Sequence, residues 1–149
     1  MNKSLLVRLT KICLDFMFFS GILVTLTVPV SFHYVGEFYS IFTKFYLPFT
    51  IIFIIAGIFA VLILKELRSM FATVLKGDPF VKGNVISLKR MGMCSFIISL
   101  SMAVRLIFVV TPAALVLVAV FLIAGLFSLV LSLVFEQAVI YKEENDLTI

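Results

Sequence analysis

Residues 113–135 read AALVLVAVFLIAGLFSLVLSLVF, a run of 23 residues without a charged side chain. An α-helix rises about 1.5 Å per residue, so about 20 apolar residues cross the roughly 30 Å hydrocarbon core of a bilayer. This run is therefore long enough to span a membrane. Inside lipid a single such run is expected to be helical, because a helix satisfies its backbone hydrogen bonds within the segment.

Three further runs have the same character, and the composition as a whole agrees with them. The chain is 63% hydrophobic and 13% charged, whereas a soluble domain is about half apolar and a quarter charged. We therefore expect one all-α transmembrane domain over residues 1–149, with four helices in two hairpins. The predicted spans are residues 12–32, 45–64, 91–110 and 113–135. A connector at 65–90 and a tail at 136–149 lie outside them.

The first run follows three basic residues, as in a signal peptide. It is too long for one, and no small-x-small cleavage site follows it, so we expect it to remain as an anchor.

The basic residues indicate which side of the membrane each connection occupies. Ten of the twelve lie in the N-terminal segment, the connector and the tail. Lysine and arginine are enriched in short cytoplasmic connections, so both termini and the connector are expected in the cytoplasm. Clusters of this kind next to spans favour contact with anionic lipid headgroups, and we expect no direct binding of nucleic acid. The ten residues are Lys3, Arg8, Lys11, Lys65, Arg68, Lys76, Lys82, Lys89, Arg90 and Lys142.

The connector has the pattern of an amphipathic helix that continues from the second span. Its apolar residues follow the spacing i, i+3, i+4, i+7 and i+8, which places them on one helical face. They are Leu67, Met70, Phe71, Val74 and Leu75. Gly77 is the expected C-terminal cap. Asp78 and Pro79 are then expected as the N-cap and first residue of a short helix, with Asn84 as a second N-cap.

The connection after the first span is aromatic and is expected on the outer side. Phe38, Ile41, Phe42 and Phe45 follow the spacing i, i+3, i+4 and i+7. This spacing predicts a short helix with one apolar face, lying in the outer headgroup layer.

Small residues at intervals of four predict how the third and fourth spans pack. In lipid, helices associate where small side chains allow close backbone approach. Folding the hairpin near residues 113–114 would bring the two stripes level, with Ser95 opposite Ser132 and Ser99 opposite Ser128. The predicted packing stripe comprises Ser95, Ser99, Ala103, Ala124, Ser128 and Ser132. A weaker stripe in the second span, Ala56 and Ala60, would permit a homo-oligomer.

Asp15 and Arg105 are the ionisable residues inside the apolar runs, where such residues are costly and often functional. Their depths differ, so they are not expected to pair with each other. Arg105 is expected to extend outward toward Thr111. Asp15 is expected to meet Lys89 or Arg90 at the inner end of the third span, or Lys11 on its own helix. We favour these structural roles over a proton or ion pathway.

No residue pattern in the chain is typical of an enzyme or of a bound cofactor. His33 is the single histidine, and a metal site needs three or four ligands. No serine or cysteine is spaced with a histidine and a carboxylate for nucleophilic catalysis. No glycine-rich phosphate loop is present. We therefore expect no catalytic residue, metal or cofactor.

Two segments contain distinctive motifs. The first is GDPFV at residues 77–81, followed by Asn84, Leu88, Arg90 and Gly92. The second is EENDLTI at residues 143–149. Both segments resemble the bacterial family catalogued as domain of unknown function 2975. Members of that family are small four-span membrane proteins, often encoded beside a helix-turn-helix regulator of the Xre type. The resemblance implies a bacterial cytoplasmic membrane protein of this layout, with such a regulator as a partner.

Two classes of function follow from these observations. The first is a non-enzymatic membrane partner or regulator of a cytoplasmic helix-turn-helix transcription factor. The alternative is a small transporter, a channel subunit or an immunity-type protein. The candidate contact residues for the first class are Gly77, Asp78, Pro79, Phe80, Asn84, Leu88 and Arg90 in the connector, and Glu143, Glu144, Asp146 and Leu147 in the tail.

Overall fold

A computed structural model describes residues 2–148, and within them it contains five α-helices and no strand. The helices are α1 (Lys3–Phe38), α2 (Ser40–Lys44), α3 (Tyr46–Leu75), α4 (Lys82–Phe108) and α5 (Pro112–Leu147). The connector between α3 and α4 and the two described chain ends lie together at one end of the bundle, the connector end. The helix α2 and the α4–α5 turn lie at the other end.

Four of the helices, α1, α3, α4 and α5, are long and apolar enough to cross a membrane. The most apolar 18-residue window of α5 has a mean hydropathy of 3.0, yet only 17% of it is buried within the chain. An apolar surface of this extent is unfavourable in water and suits hydrocarbon, where apolar side chains can face outward. The predicted all-α membrane protein with four spanning helices is confirmed.

The spanning helices are arranged as a row in the order α1, α3, α4, α5. In the described chain, α1 packs on α3, α3 on α4, and α4 on α5, and no other pair of these helices is in close contact. The predicted hairpins, α1–α3 and α4–α5, therefore meet mainly where α3 packs on α4. The core of that junction is apolar, and residues of α5 also pack against it. It contains Ile52, Ala56, Ile98 and Met102, with Val118 and Phe121 of α5 beside them.

Aromatic contacts close the α1–α3 hairpin at the end of the bundle opposite the connector. The Phe42 ring of α2 lies 5.2 Å from Phe32 of α1 and 5.9 Å from Phe49 of α3, between ring centroids. The Tyr46 hydroxyl donates a hydrogen bond of 2.9 Å to the Pro29 carbonyl oxygen. The predicted short helix is thus present as α2. Its predicted apolar face is divided, because Phe42 packs inward while Phe38, which belongs to α1, is 82% exposed.

The α4–α5 interface is built on two glycines. A Cβ atom added at Gly92 would lie 3.1 Å from the Gly125 carbonyl oxygen, and a Cβ added at Gly125 would lie 3.1 Å from the Gly92 carbonyl oxygen. The two backbones therefore approach as closely as small-residue packing allows. Around this point the Ser128 hydroxyl donates to the Leu88 carbonyl oxygen at 2.7 Å, and the Ser99 hydroxyl donates to the Val118 carbonyl oxygen at 2.9 Å.

These contacts correct the predicted register of the hairpin. Gly92 is level with Gly125, so Ser95 does not lie opposite Ser132. The cause is the position of the turn, which covers residues 109–111, because Thr111 caps α5 and Pro112 occupies its first turn. Four predicted stripe residues are buried: Ser95, Ser99, Ser128 and Ser132. Ala103 is half-buried, but Ala124 is exposed and Gly125 takes its place in the interface.

Candidate functional site

The turn that follows α3 has a defined geometry at Gly77. Its φ of 79° lies in the left-handed region that glycine adopts without a Cβ clash. The Gly77 N–H donates to the Val74 carbonyl oxygen at 3.0 Å, and the Asp78 N–H donates to the Thr73 carbonyl oxygen at 3.1 Å. This pair of bonds is the Schellman arrangement, which satisfies the last carbonyls of a helix. Gly77 is therefore the C-terminal cap residue that the sequence indicates.

The predicted short helix at Pro79 is wrong. Residues 78–81 are not helical, and α4 begins at Lys82 after the extended residue Val81. Asp78 does not cap a helix, because its carboxylate binds the Lys142 ammonium group of α5. The connector is therefore a single turn between two long helices.

Asn84 is not an N-cap either, since it lies within the first turn of α4. Its side chain is buried and points toward α3 and the connector. The Asn84 amide nitrogen donates to the Thr73 hydroxyl at 2.6 Å and to the Pro79 carbonyl oxygen at 2.7 Å. One side chain thus joins the end of α3, the turn and the start of α4.

Replacing Asn84 by alanine is expected to loosen the turn. The substitution removes both hydrogen bonds and leaves the Pro79 carbonyl without this donor, at a cost of about 1–3 kcal/mol. Amide hydrogen exchange of the peptide covering residues 76–84 should become faster while exchange in the middle of α4 stays unchanged. Lys82→Ala, which removes only an exposed ion pair, is the control. Equal exchange in the two variants would contradict the role assigned to Asn84.

The predicted tail is a helix. Residues 136–147 continue α5 beyond the predicted span, and Ile149, the last residue of the EENDLTI motif, lies outside the described residues. This extension is joined to α4 by Lys82–Glu143 at 3.2 Å and Lys89–Glu136 at 3.7 Å. The acidic tail therefore contacts the basic start of α4 at Lys82.

An aromatic contact joins the turn to the same helix. The Phe80 ring packs edge-on against Phe135, with 5.3 Å between the ring centroids. Together with Asp78–Lys142, it fixes the turn against α5. We name the surface formed by residues 77–80 and 143–147 the connector face.

The structure separates the predicted contact residues into two groups. Phe80 is 43% exposed, and Leu147 is 85% exposed. Leu88 and Asn84 are only 3% and 2% exposed, so they hold the connector face together and do not reach its surface. The other residues available at the surface are Gly77, Asp78, Arg90, Glu143, Glu144 and Asp146, with Pro79 half-buried.

Asp15 has a different partner from those predicted. Its carboxylate accepts a hydrogen bond of 2.5 Å from Nε of Arg68, on α3. The Arg68 guanidinium also lies 4.5 Å above the Phe18 ring centroid and 5.4 Å from that of Phe19. Lys89 and Arg90 do not reach Asp15 because α1 packs on α3 and not on α4. The third predicted partner, Lys11 on α1 itself, is replaced by Arg68. Asp15 and Arg68 thus form an ion pair between the two helices of the first hairpin.

The corresponding polar contact between α3 and α4 involves Glu66, which is not among the residues predicted from the sequence. Its carboxylate accepts from the Ser87 hydroxyl at 2.7 Å and lies 3.4 Å from the Arg90 guanidinium. Its side chain is only 14% exposed. The sequence feature that could have identified Glu66 is its spacing from Arg68, because residues two apart on a helix point to nearly opposite sides. Glu66 and Arg68 therefore contact α4 and α1, respectively.

Arg105 extends outward as predicted. Its guanidinium donates to the Thr111 hydroxyl at 2.9 Å and lies 5.1 Å from the Phe49 ring centroid. Asp15 and Arg105 occupy opposite ends of the bundle, and each has a local partner. In the part of the chain that the structure describes, no group of three His, Cys, Asp or Glu side chains is placed to hold a metal ion.

Comparison with known proteins gives a family and no individual relative. No curated protein and no solved structure matches the chain. The model of one family matches residues 30–149, which include the end of α1, all of α2 to α4, the connector and α5. Those residues contain the connector face, the close approach of Gly92 to Gly125, and Glu66 with its partners Ser87 and Arg90. The chain therefore belongs to the family described as Protein of unknown function (DUF2975).

Proposed function

We propose that this protein is a non-enzymatic partner of a cytoplasmic helix-turn-helix regulator of the Xre type, which it holds at the bacterial cytoplasmic membrane. In this proposal both termini and the connector lie in the cytoplasm. The bias of lysine and arginine toward these segments supports that orientation, because positively charged connections are retained on the cytoplasmic side. The partner class comes from the family resemblance.

The observation that carries the proposal is the preformed connector face. Its turn is capped at Gly77, bound by Asn84 and fixed to α5 by Asp78–Lys142 and Phe80–Phe135. A surface that is ordered before binding loses less conformational entropy when a partner docks.

The exposed groups of this face suit a basic partner. Glu144 and Asp146 form no ion pair with any residue from 2 to 148, and they lie beside the exposed Leu147. Phe80 adds a half-exposed aromatic ring, which is a common anchor of protein interfaces. DNA-binding surfaces are positively charged, so an acidic face with apolar anchors would compete with DNA for the regulator.

Capture from the native membrane tests this proposal. The chain would be extracted in mild detergent, and retained proteins would be identified by mass spectrometry. We expect a helix-turn-helix protein to be retained with the native chain. The double variant Glu144→Lys, Asp146→Lys, which leaves the Lys82–Glu143 and Lys142–Asp78 pairs intact, should reduce retention about tenfold, equivalent to about 1.4 kcal/mol.

The control is Glu37→Lys, which reverses an exposed charge at the opposite end of the bundle. It should retain the regulator as well as the native chain does. Absence of any helix-turn-helix protein from the native sample would overturn the proposal, and so would equal losses in the two variants.

The transport alternative is not favoured. Asp15 binds Arg68 and Arg105 binds Thr111, at opposite ends of the bundle, which supports structural roles for both ionisable residues.

A further inference from the structure

A groove of about 480 Å³ lies between α3 and α4 near the connector end. Its inner part is apolar, with Phe59 and Leu62 of α3 on one wall and Met93 and Ile97 of α4 on the other. These residues belong to the spanning parts of both helices. The groove therefore opens toward the hydrocarbon of the bilayer and offers a surface that an acyl chain fits.

The outer part of the same groove is basic. Lys65, Lys89 and Arg90 line it, with Glu66 as the single carboxylate among them. The Glu66 carboxylate is already engaged, since Ser87 donates to it at 2.7 Å and Arg90 lies 3.4 Å away. The Arg90 side chain remains 66% exposed, and that of Lys89 is 48% exposed. Lys89 also lies 3.7 Å from the Glu136 carboxylate. Three cations against two carboxylates, Glu66 and Glu136, leave the rim with a net charge of +1.

The basic part and the apolar part of the groove lie at different depths in the membrane, as do the headgroup and the acyl chains of a lipid. From Ile97 to Lys89 the helix rises about 12 Å, at about 1.5 Å per residue. That distance takes the groove from hydrocarbon at Ile97 to the headgroup layer at Lys89 and Arg90. Basic pockets between spanning helices, at the level of the headgroups, are suited to anionic phosphate esters.

We propose that this groove is a binding site for one anionic phospholipid, whose phosphate lies among Lys65, Lys89 and Arg90 and whose acyl chain follows Phe59, Met93 and Ile97. The lipid would join α3 to α4, and so the first hairpin to the second. The α3–α4 interface is the main contact between the hairpins within residues 2–148. This inference is independent of the regulator proposed above, because it concerns the surface in the membrane and not the connector face.

Native mass spectrometry of the purified chain tests the site. The protein would be mixed with phosphatidylglycerol and phosphatidylcholine of identical acyl chains, and the retained lipid would be counted. We expect one retained phosphatidylglycerol, preferred about tenfold or more over the neutral lipid, since each basic residue near the headgroup adds to the attraction. The triple variant Lys65→Gln, Lys89→Gln, Arg90→Gln should lose this preference.

A matched control has the same change in charge at the same end of the bundle. It is Lys3→Gln, Arg8→Gln, Lys11→Gln, on α1, and it should keep the preference. A second variant, Met93→Trp, fills the apolar part at an exposed position without altering any charge, and it should reduce retention of the lipid. Equal retention of both lipids by the native chain would overturn the proposal. Equal losses in the two triple variants would also overturn it, as would displacement of the lipid by excess inorganic phosphate.

Discussion

Gly125→Leu is expected to separate α4 from α5 and to produce a large loss of stability. A Cβ at this position would lie 2.8 Å from the Phe96 ring and 3.1 Å from the Gly92 carbonyl oxygen. The ring can rotate, but the carbonyl belongs to a helix backbone that moves only with the whole helix. Overpacking a tight interface costs about 1–3 kcal/mol, and a leucine side chain against backbone is expected at the upper limit of that range.

Thermal unfolding in detergent measures this effect. The variant should unfold at a clearly lower temperature than the native chain, and the hydrogen bond from Ser128 to Leu88, next to the glycine contact, should be lost with it. Gly83→Leu is the control, since a Cβ at Gly83 meets nothing within 4 Å. If Gly125→Leu unfolded at the same temperature as Gly83→Leu, the close approach of the two backbones would be contradicted.

The second large effect is expected when the Asp15–Arg68 pair is broken on one side only. Arg68→Gln leaves the Asp15 carboxylate at the edge of the apolar region without its cation, with about one third of its side chain exposed. It also removes the guanidinium from the Phe18 and Phe19 rings. Removing one member of a partly buried pair costs more than the pair itself contributes, because the remaining charge is left uncompensated. We expect a loss of about 2 kcal/mol, at the interface of α1 with α3.

A double-mutant cycle isolates the interaction. Asp15→Asn combined with Arg68→Gln should recover part of the loss caused by Arg68→Gln alone, giving a coupling of about 1–2 kcal/mol between the two residues. The comparison pair is Lys89–Glu136, which is 3.7 Å long with both side chains about half exposed. Its coupling should be below about 0.5 kcal/mol, because exposed pairs contribute little. Purely additive effects at Asp15 and Arg68 would contradict the pair.

Several local features of the candidate site were predictable because their causes are local. Gly77 ends α3 since a left-handed residue is needed there, and glycine adopts that conformation at little cost. The outward extension of Arg105 followed from its short distance to the end of its own helix. In both cases the interacting groups are a few residues apart in the chain, so periodicity and spacing are sufficient to identify them.

The errors concern groups that are distant in the chain. Asp78 and Asn84 have the residue types of helix caps, yet Asp78 binds Lys142 and Asn84 binds Thr73. A cap and a tertiary contact compete for the same side chain, and the choice depends on which helices are nearby. Glu66 was missed for a related reason. Its spacing from Arg68 indicates a different side of α3, but its partner Ser87 is identified only by the packing of α3 on α4.

Four spanning helices can be identified from the residues of each segment, because hydrophobic length is a property of the segment alone. The order of the helices in the row, the Gly92–Gly125 register and the partner of Asp15 are known only once the helices are packed together. These depend on how each helix is rotated and shifted against its neighbour. In lipid that choice is made by the fit of small residues and polar groups across the interface, since apolar burial favours no particular face of a helix that is apolar all around.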